Sequence, residues 1–150
     1  STRGDRAEVL EAFADFHPAV RAILAAVPHD ALHKWALYSR EPLLSWVDGR
    51  IGLLGDAAHP MLPFMGQGAV MAIEDAMVLA RAFAAEPADA AAALARYQRA
   101  RLERATLVQR QSAARGLALL AADPDDYGRR AQVNEDTLGL FAYDATAVAV

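Results

Sequence analysis

The stretch Gly49-Arg50-Ile51-Gly52-Leu53-Leu54-Gly55-Asp56-Ala57-Ala58-His59-Pro60-Met61-Leu62-Pro63-Phe64-Met65-Gly66-Gln67-Gly68-Ala69 decides how this chain is read. Arg50 to Leu54 is a short apolar run bounded by glycines, the pattern of a strand buried on both faces. It ends in Gly55-Asp56, so a carboxylate is predicted at the strand's carboxyl end, the edge where open α/β sheets bind ligands. Ala57 and Ala58 are small enough to let a large group approach the backbone. Gly55 to Gly68 holds three Gly and two Pro, which marks a loop with special backbone demands. A helical pattern follows from Gly68 to Ala85. Free N–H groups at its start, together with the helix dipole, favour negative charge on a ligand. One segment thus offers a carboxylate for hydroxyls and a helix end for an anion, which suits a nucleotide-type cofactor with a polyol and an acidic ring. The same features also occur in purely structural α/β units. Gly66-Gln67-Gly68-Ala69-Val70-Met71 is not a dinucleotide fingerprint, because its sixth position is Met.

The flanks read mainly as helix. Val9, Leu10, Phe13 and Phe16 fall at helical spacing over 7–16, and Val20, Ile23, Leu24 and Val27 over 19–27, with Pro18 and Pro28 as punctuation. His33 to Tyr38 alternates like a strand. In the helix over 68–85, Val70, Ile73, Met77 and Ala80 form one stripe, with Ala69, Ala72, Ala76, Leu79 and Phe83 beside it; Glu74 and Arg81 are predicted to face away. Asp89 is an N-cap for a long helix over 90–121, with Gly116 a bend or early end. Asp123-Pro124-Asp125-Asp126 breaks the pattern and can cap a last helix to about Leu138. The aromatic tail, Leu140 to Asp144, is expected to dock.

Composition narrows the classes. Hydrophobic residues make up 55%, enough for a core even though 36 residues are Ala. A net charge of −4 excludes a strongly basic nucleic-acid binder as the default, and the hydrophobicity argues against a disordered chain. No apolar run reaches the roughly 18 residues of a membrane span. There is no Cys, hence no disulfide or thiolate chemistry, which suits a cytoplasmic protein. The start Ser1-Thr2-Arg3-Gly4-Asp5 carries neither an initiator Met nor a signal core, as in a trimmed, cut or partial chain.

The central segment resembles the second flavin-contacting motif of the FAD-dependent aromatic hydroxylases, the single-component flavoprotein monooxygenases. The likeness is carried by strand-Gly-Asp-Ala-Ala-His-Pro, by Pro63-Phe64-Met65-Gly66-Gln67-Gly68, and by a helix bearing Ala72-Ile73-Glu74-Asp75-Ala76. It is most similar to the salicylate and hydroxybenzoate hydroxylase branch. Arg40-Glu41-Pro42, Trp46, Tyr97, Arg101, Arg104 and Tyr143-Asp144 add support outside the motif. The resemblance implies a chain that is mainly α with a few short strands, an α+β remnant. It would be the C-terminal portion of a Rossmann-like FAD-binding domain plus a helical C-terminal extension. Residues 1–45 would end the substrate-binding domain. Residues 46–86 would hold the last FAD-domain strand, the Gly-Asp loop and its helix, and 87–150 the C-terminal helices.

Roles follow from the same resemblance. Gly55 would permit close approach of FAD, and Asp56 would accept hydrogen bonds from its ribityl chain. Pro63 would sit beside the isoalloxazine. Gly66, Gln67, Gly68, Ala69 and Val70 would present N–H groups to the pyrimidine edge, where charge tunes the ring. Family chemistry implies NAD(P)H as donor, a flavin hydroperoxide formed with O2, and a small aromatic substrate. Met61, Leu62, Phe64 and Met65 would keep the site dry or be plain core. The amino-terminal pyrophosphate fingerprint of the family is missing, so these 150 residues alone are not expected to hold FAD tightly or turn over.

Other candidates are weaker. Asp56 and His59 lack a third metal ligand, so no metal site is expected. His59 is expected to hold the loop or lie near the flavin, and no catalytic residue is assigned. His17, His29 and His33 read as surface or packing residues. Glu74 and Asp75 point about 100° apart and cannot share a substrate proton, so a salt bridge from Glu74 to a nearby Arg is expected. Arg101 and Arg104 are expected to tie the long helix to the cofactor segment. The competing reading is a non-catalytic helical scaffold or dimerisation module derived from this family. Exposed apolar surface from Ile51 to Leu54 is expected to drive homo-oligomerisation of the 150-residue chain. Light scattering tests this: mass rising with concentration is the expected outcome, and a strict monomer at high concentration contradicts it.

Overall fold

The computed structural model describes residues 2–119 and 135–150, and their backbone is mainly helical with four two-residue strands. The chain divides into two compact units, Ser1–Leu37 and Tyr38–Val150. In the first, β1 (Thr2–Arg3) pairs antiparallel with β2 (His33–Lys34). Between them lie α1 (Arg6–Ala12) and α2 (Pro18–Ala26). Asp5 caps α1 by accepting from the Ala7 N–H at 2.6 Å, and His17 Nδ1 accepts from the Ala19 N–H at 3.2 Å to cap α2. Pro18 takes the first turn of α2, where its missing N–H costs nothing. The alternation predicted over 33–38 pairs only at His33 and Lys34, and Trp35, Leu37 and Tyr38 stay exposed.

The second unit is built on a helical hairpin. α3 (Gly68–Ala85) and α4 (Ala90–Leu119) are joined by Glu86-Pro87-Ala88-Asp89, with Asp89 accepting from the N–H groups of Ala91 and Ala92. Val78, Ala82, Ala93, Ala105 and Val108 are fully buried between the helices and the loops they carry. Alanine at such positions lets helix backbones approach closely, while each buried Val contributes about 1.5–3 kcal/mol. Trp46, Ala58 and Tyr97 complete one end of this core; Met65, Met71, Val108 and Leu140 form the other. The tail docks as expected: Leu140 is buried, and Arg81 donates to the carbonyls of Ala145 and Val148 at 3.0 and 2.7 Å.

Several expectations need correction. The run at 50–54 is not a doubly buried strand. Among the described residues β4 (Ile51–Gly52) pairs only with β3 (Val47–Asp48), across a tight turn, and Ile51 is 72% exposed. A neighbouring strand pairs at an edge and covers no face; the ribbon rests Gly52 on Leu94 of α4, and no second layer among the described residues covers Ile51. The buried face of α3 is Met71, Asp75, Val78 and Ala82, whereas Val70, Ile73 and Met77 point outward. Arg81 and Glu74 do not face away, because each is bonded to neighbouring segments. α4 runs on through Gly116; a Cβ there would lie 2.4 Å from the Phe64 ring, so Gly116 is the seat of that ring. The last helix expected before Leu138 lies largely outside the described residues, and residues 135–139 form a turn.

Among the described residues no helix is long and apolar enough to cross a membrane.

Candidate functional site

Gly55 begins a short 3₁₀ turn, Gly55–Ala57, with φ +58°, a value that costs an L side chain energy; a Cβ would also press on Ala72 at 3.3 Å. The N–H groups of Ala58 and His59 both donate to the Gly55 carbonyl at 2.8 Å, which closes the turn. Asp56 is left exposed at its outer edge. A second 3₁₀ turn, Pro63–Met65, ends at Gly66 in the left-handed conformation and delivers the chain to α3. The Gln67 side chain makes no cap bond, and the N–H groups of Gly68, Ala69 and Val70 have no acceptor among the described residues. These three donors stand at the positive end of the helix dipole, while the Met71 N–H already donates to the Gln67 carbonyl at 2.9 Å.

These turns border an open cavity of about 500 Å³ lined by Asp56, Met61, Leu62, Pro63, Gly66, Gly68, Ala69 and Ala72. Six of the sequence-derived site residues therefore meet here or at the adjoining turn: Asp56, Pro63, Gly66, Gly68 and Ala69 on the wall, and Gly55 buried behind it. Gln67 and the half-exposed Val70 adjoin through the backbone. Of the apolar candidates, Met61 and Leu62 line the cavity, Met65 is core, and Phe64 packs on Gly116. Asp56 and His59 part company. His59 is fully buried, with its Nε2 2.6 Å from Asp75 Oδ2.

Beneath the turn lies a buried charge cluster. Asp75 accepts from the Gly55 N–H at 3.1 Å and from Arg101 Nε at 2.7 Å, besides His59. Arg101, also fully buried, donates to Glu74 at 2.7 Å and to the Met71 carbonyl at 3.3 Å. Arg104 makes a two-pronged pair with Glu74, both contacts at 2.8 Å, and its guanidinium lies 3.9 Å from the centre of the Tyr143 ring. Burial pushes the Asp75 carboxyl upward, but the hydrogen bonds and charges of His59 and Arg101 outweigh it and hold it below the ordinary 3.8. Burial lowers Arg101, yet Asp75 and Tyr143 more than compensate and raise it. Burial, with Asp75 close by, pushes the Tyr97 phenol well up, so its hydroxyl stays a donor to the Leu53 carbonyl at 3.1 Å.

The expected bridge from Glu74 and the tie through Arg101 and Arg104 are both present. Asp75 is the residue that sequence reasoning missed. Its signal was its place in the stripe Met71, Asp75, Val78, Ala82, where a carboxylate among apolar residues has to find buried partners.

The FAD binding domain family matches residues 2–112, and the chain belongs to it. It is 52% identical over 108 residues to 6-hydroxynicotinate 3-monooxygenase of Bordetella bronchiseptica, covering 71% of this chain and 28% of that protein. It is 48% identical to the aurachin C monooxygenase/isomerase of Stigmatella aurantiaca, covering 67% and 26%. Among solved structures, a salicylate hydroxylase substrate complex superposes with TM-score 0.75 at 31% identity, covering 96% of this chain and 36% of that one. Klebsiella pneumoniae HpxO complexed with FAD and uric acid gives TM-score 0.75 at 30% identity, covering 89% and 35%. The chain thus spans roughly a quarter to a third of the length of these relatives.

Asp75→Asn is expected to lower stability by about 3–5 kcal/mol, because Arg101 loses a buried counter-charge. Since the folded carboxyl sits below 3.8, its contribution is complete above that pH and is lost as pH falls through the lower folded value. Urea unfolding between pH 3 and 7 checks this. The wild type is expected to lose stability steeply at the acid end and Asp75→Asn to lack that component; parallel curves contradict it.

Proposed function

We propose that this chain is the C-terminal part of an FAD-dependent monooxygenase that hydroxylates a phenolic or other aromatic acid with NAD(P)H and O2. The observation that carries the reading is the meeting, on one cavity, of an exposed carboxylate and a helix start, with Asp56, Gly68 and Ala69 all on its wall. FAD has a polyol for the first and a pyrimidine edge that takes negative charge for the second. The left-handed glycines and the small wall at Ala72 keep the backbone open to a flat ring, so the residues present fit the group.

In this reading FAD, when bound, supplies the electron transfer from NAD(P)H and the activation of O2. The chain's own residues bind and shield. Asp56 accepts from ribityl hydroxyls. The N–H groups of Gly68, Ala69 and Val70, with Gly66 and Gln67 shaping the turn before them, hold the ring edge and favour its anionic form. Gly55 gives the turn its left-handed corner against Ala72, and Met61, Leu62 and Pro63 keep water from the ring's face. His59, bonded to Asp75, fixes the loop and moves no proton to substrate. Residues 1–45 would end the substrate domain, 46–86 would supply the last strand, loop and helix of a Rossmann-like FAD domain, and 87–150 its helical extension. A cytoplasmic setting and homo-oligomerisation through exposed apolar surface belong to the same reading.

Taken alone, the 150 residues are expected to carry no stoichiometric flavin absorbance, because they supply one edge of a cofactor site. In the flavin-loaded protein, Asp56→Ala is expected to weaken FAD binding about tenfold or more, the loss of a charge-assisted hydrogen bond. Fluorescence titration with FAD reads this directly. Unchanged affinity in Asp56→Ala overturns the role given to Asp56, and one FAD per isolated chain overturns the expectation that these residues supply only one edge of the site.

A further inference from the structure

The cavity-facing loop is held from behind by residues far away in sequence. Gln109 of α4 is buried, 5% exposed, and its amide Nε2 donates to two backbone carbonyls, Pro60 and Arg40, both at 2.9 Å. The Arg40 guanidinium reaches across to the carbonyls of Ala57 and Ala58 at 2.7 and 2.9 Å. One ring of hydrogen bonds therefore joins the extended segment at Arg40, the Ala57–Pro60 loop and α4. Farther along the same face of α4, Ser112 donates to the Leu62 carbonyl, and Gly116 seats Phe64. Positions 109, 112 and 116 follow helical spacing, so the register of α4 is transferred to the loop carbonyl by carbonyl.

Neither Gln109 nor Arg40 lines the cavity, yet Asp56 and Pro63 on its wall flank the carbonyls they grip. Each gripped carbonyl gains a hydrogen bond, charge-assisted where Arg40 is the donor, so this path of the loop is favoured over alternatives that forgo it. We infer that Gln109 and Arg40 are positioning residues, which fix the 57–60 backbone and so present Asp56 and Pro63 to the bound cofactor. The assignment of the cofactor rests on the reading above; the grip itself rests on the hydrogen bonds alone.

The test separates the two. In the 150-residue chain, Gln109→Leu and Arg40→Ala are measured by amide hydrogen exchange. Exchange in the 57–66 peptide is expected to rise about tenfold or more, with the interiors of α3 and α4 still protected. Arg40→Lys, which keeps one donor group, is expected to restore part of that protection. Where Gln109→Leu loosens the whole hairpin, Arg40→Ala decides, because Arg40 is exposed and its removal leaves no core cavity. Unchanged loop exchange in Arg40→Ala overturns the proposal.

In the flavin-loaded protein, the same variants are expected to shift the visible flavin spectrum and weaken FAD binding several-fold. A loosened loop with unaltered spectrum and affinity leaves the grip standing and removes the cofactor reading. An unaltered loop with altered flavin binding overturns the grip and leaves the cofactor reading in place.

Discussion

The structure of the larger unit depends on one buried carboxylate. Asp75 has three donors on its two oxygens: a backbone N–H from the Gly55 turn, an imidazole from the loop that follows, and a guanidinium from α4. A buried ion is tolerable only when its hydrogen-bonding capacity is filled, so these partners are tied to one geometry. That single side chain joins the Gly55 turn, the His59 loop and both long helices. Arg101 extends the constraint to Glu74, and Arg104 carries it on to Tyr143 and the Leu140 carbonyl. The weight falls on specificity more than on raw stability, because hydrophobic residues of equal volume could fill the space but would not orient a loop.

Around this hub the molecule separates support from presentation. The inner side of the loop is fastened by Asp75, Arg40 and Gln109, and on its outer side the first N–H groups of α3 and the Asp56 carboxylate have no partner among the described residues. Such a division is what a preorganised binding edge requires, since no rearrangement is needed when a ligand arrives. The outward stripe of α3 and the exposed face of Ile51 are apolar and have no cover among the described residues, in keeping with a segment that supplies one wall of a larger site.

Much of this was legible in the sequence. Pro and Asp punctuation placed the four helices to within a few residues, except that helix 7–16 stops at Ala12, where a turn takes over at Phe13. The Gly-Asp-Ala-Ala-His-Pro segment announced the turn and its exposed carboxylate. Two things were not legible, for different reasons. The burial of Arg50–Leu54 was inferred from an apolar run, but burial depends on neighbours that periodicity does not count, and β3 alone covers little. The hub was missed because Glu74 and Asp75 were weighed against each other on one helix. Reading Asp75 with Met71 and Val78, and Arg101 with Tyr97 and Ala105, puts one opposite charge into each of two apolar stripes, and those charges must meet.

The most direct measurement is a double-mutant cycle in urea between Asp75→Asn and Arg101→Met. If Asp75 and Arg101 act as one unit, their effects are strongly non-additive, with a coupling of about 1–3 kcal/mol, because the second substitution removes a charge that the first has already stranded. Additive effects within about 0.5 kcal/mol would mean that the two residues stabilise the fold independently, and would contradict the hub.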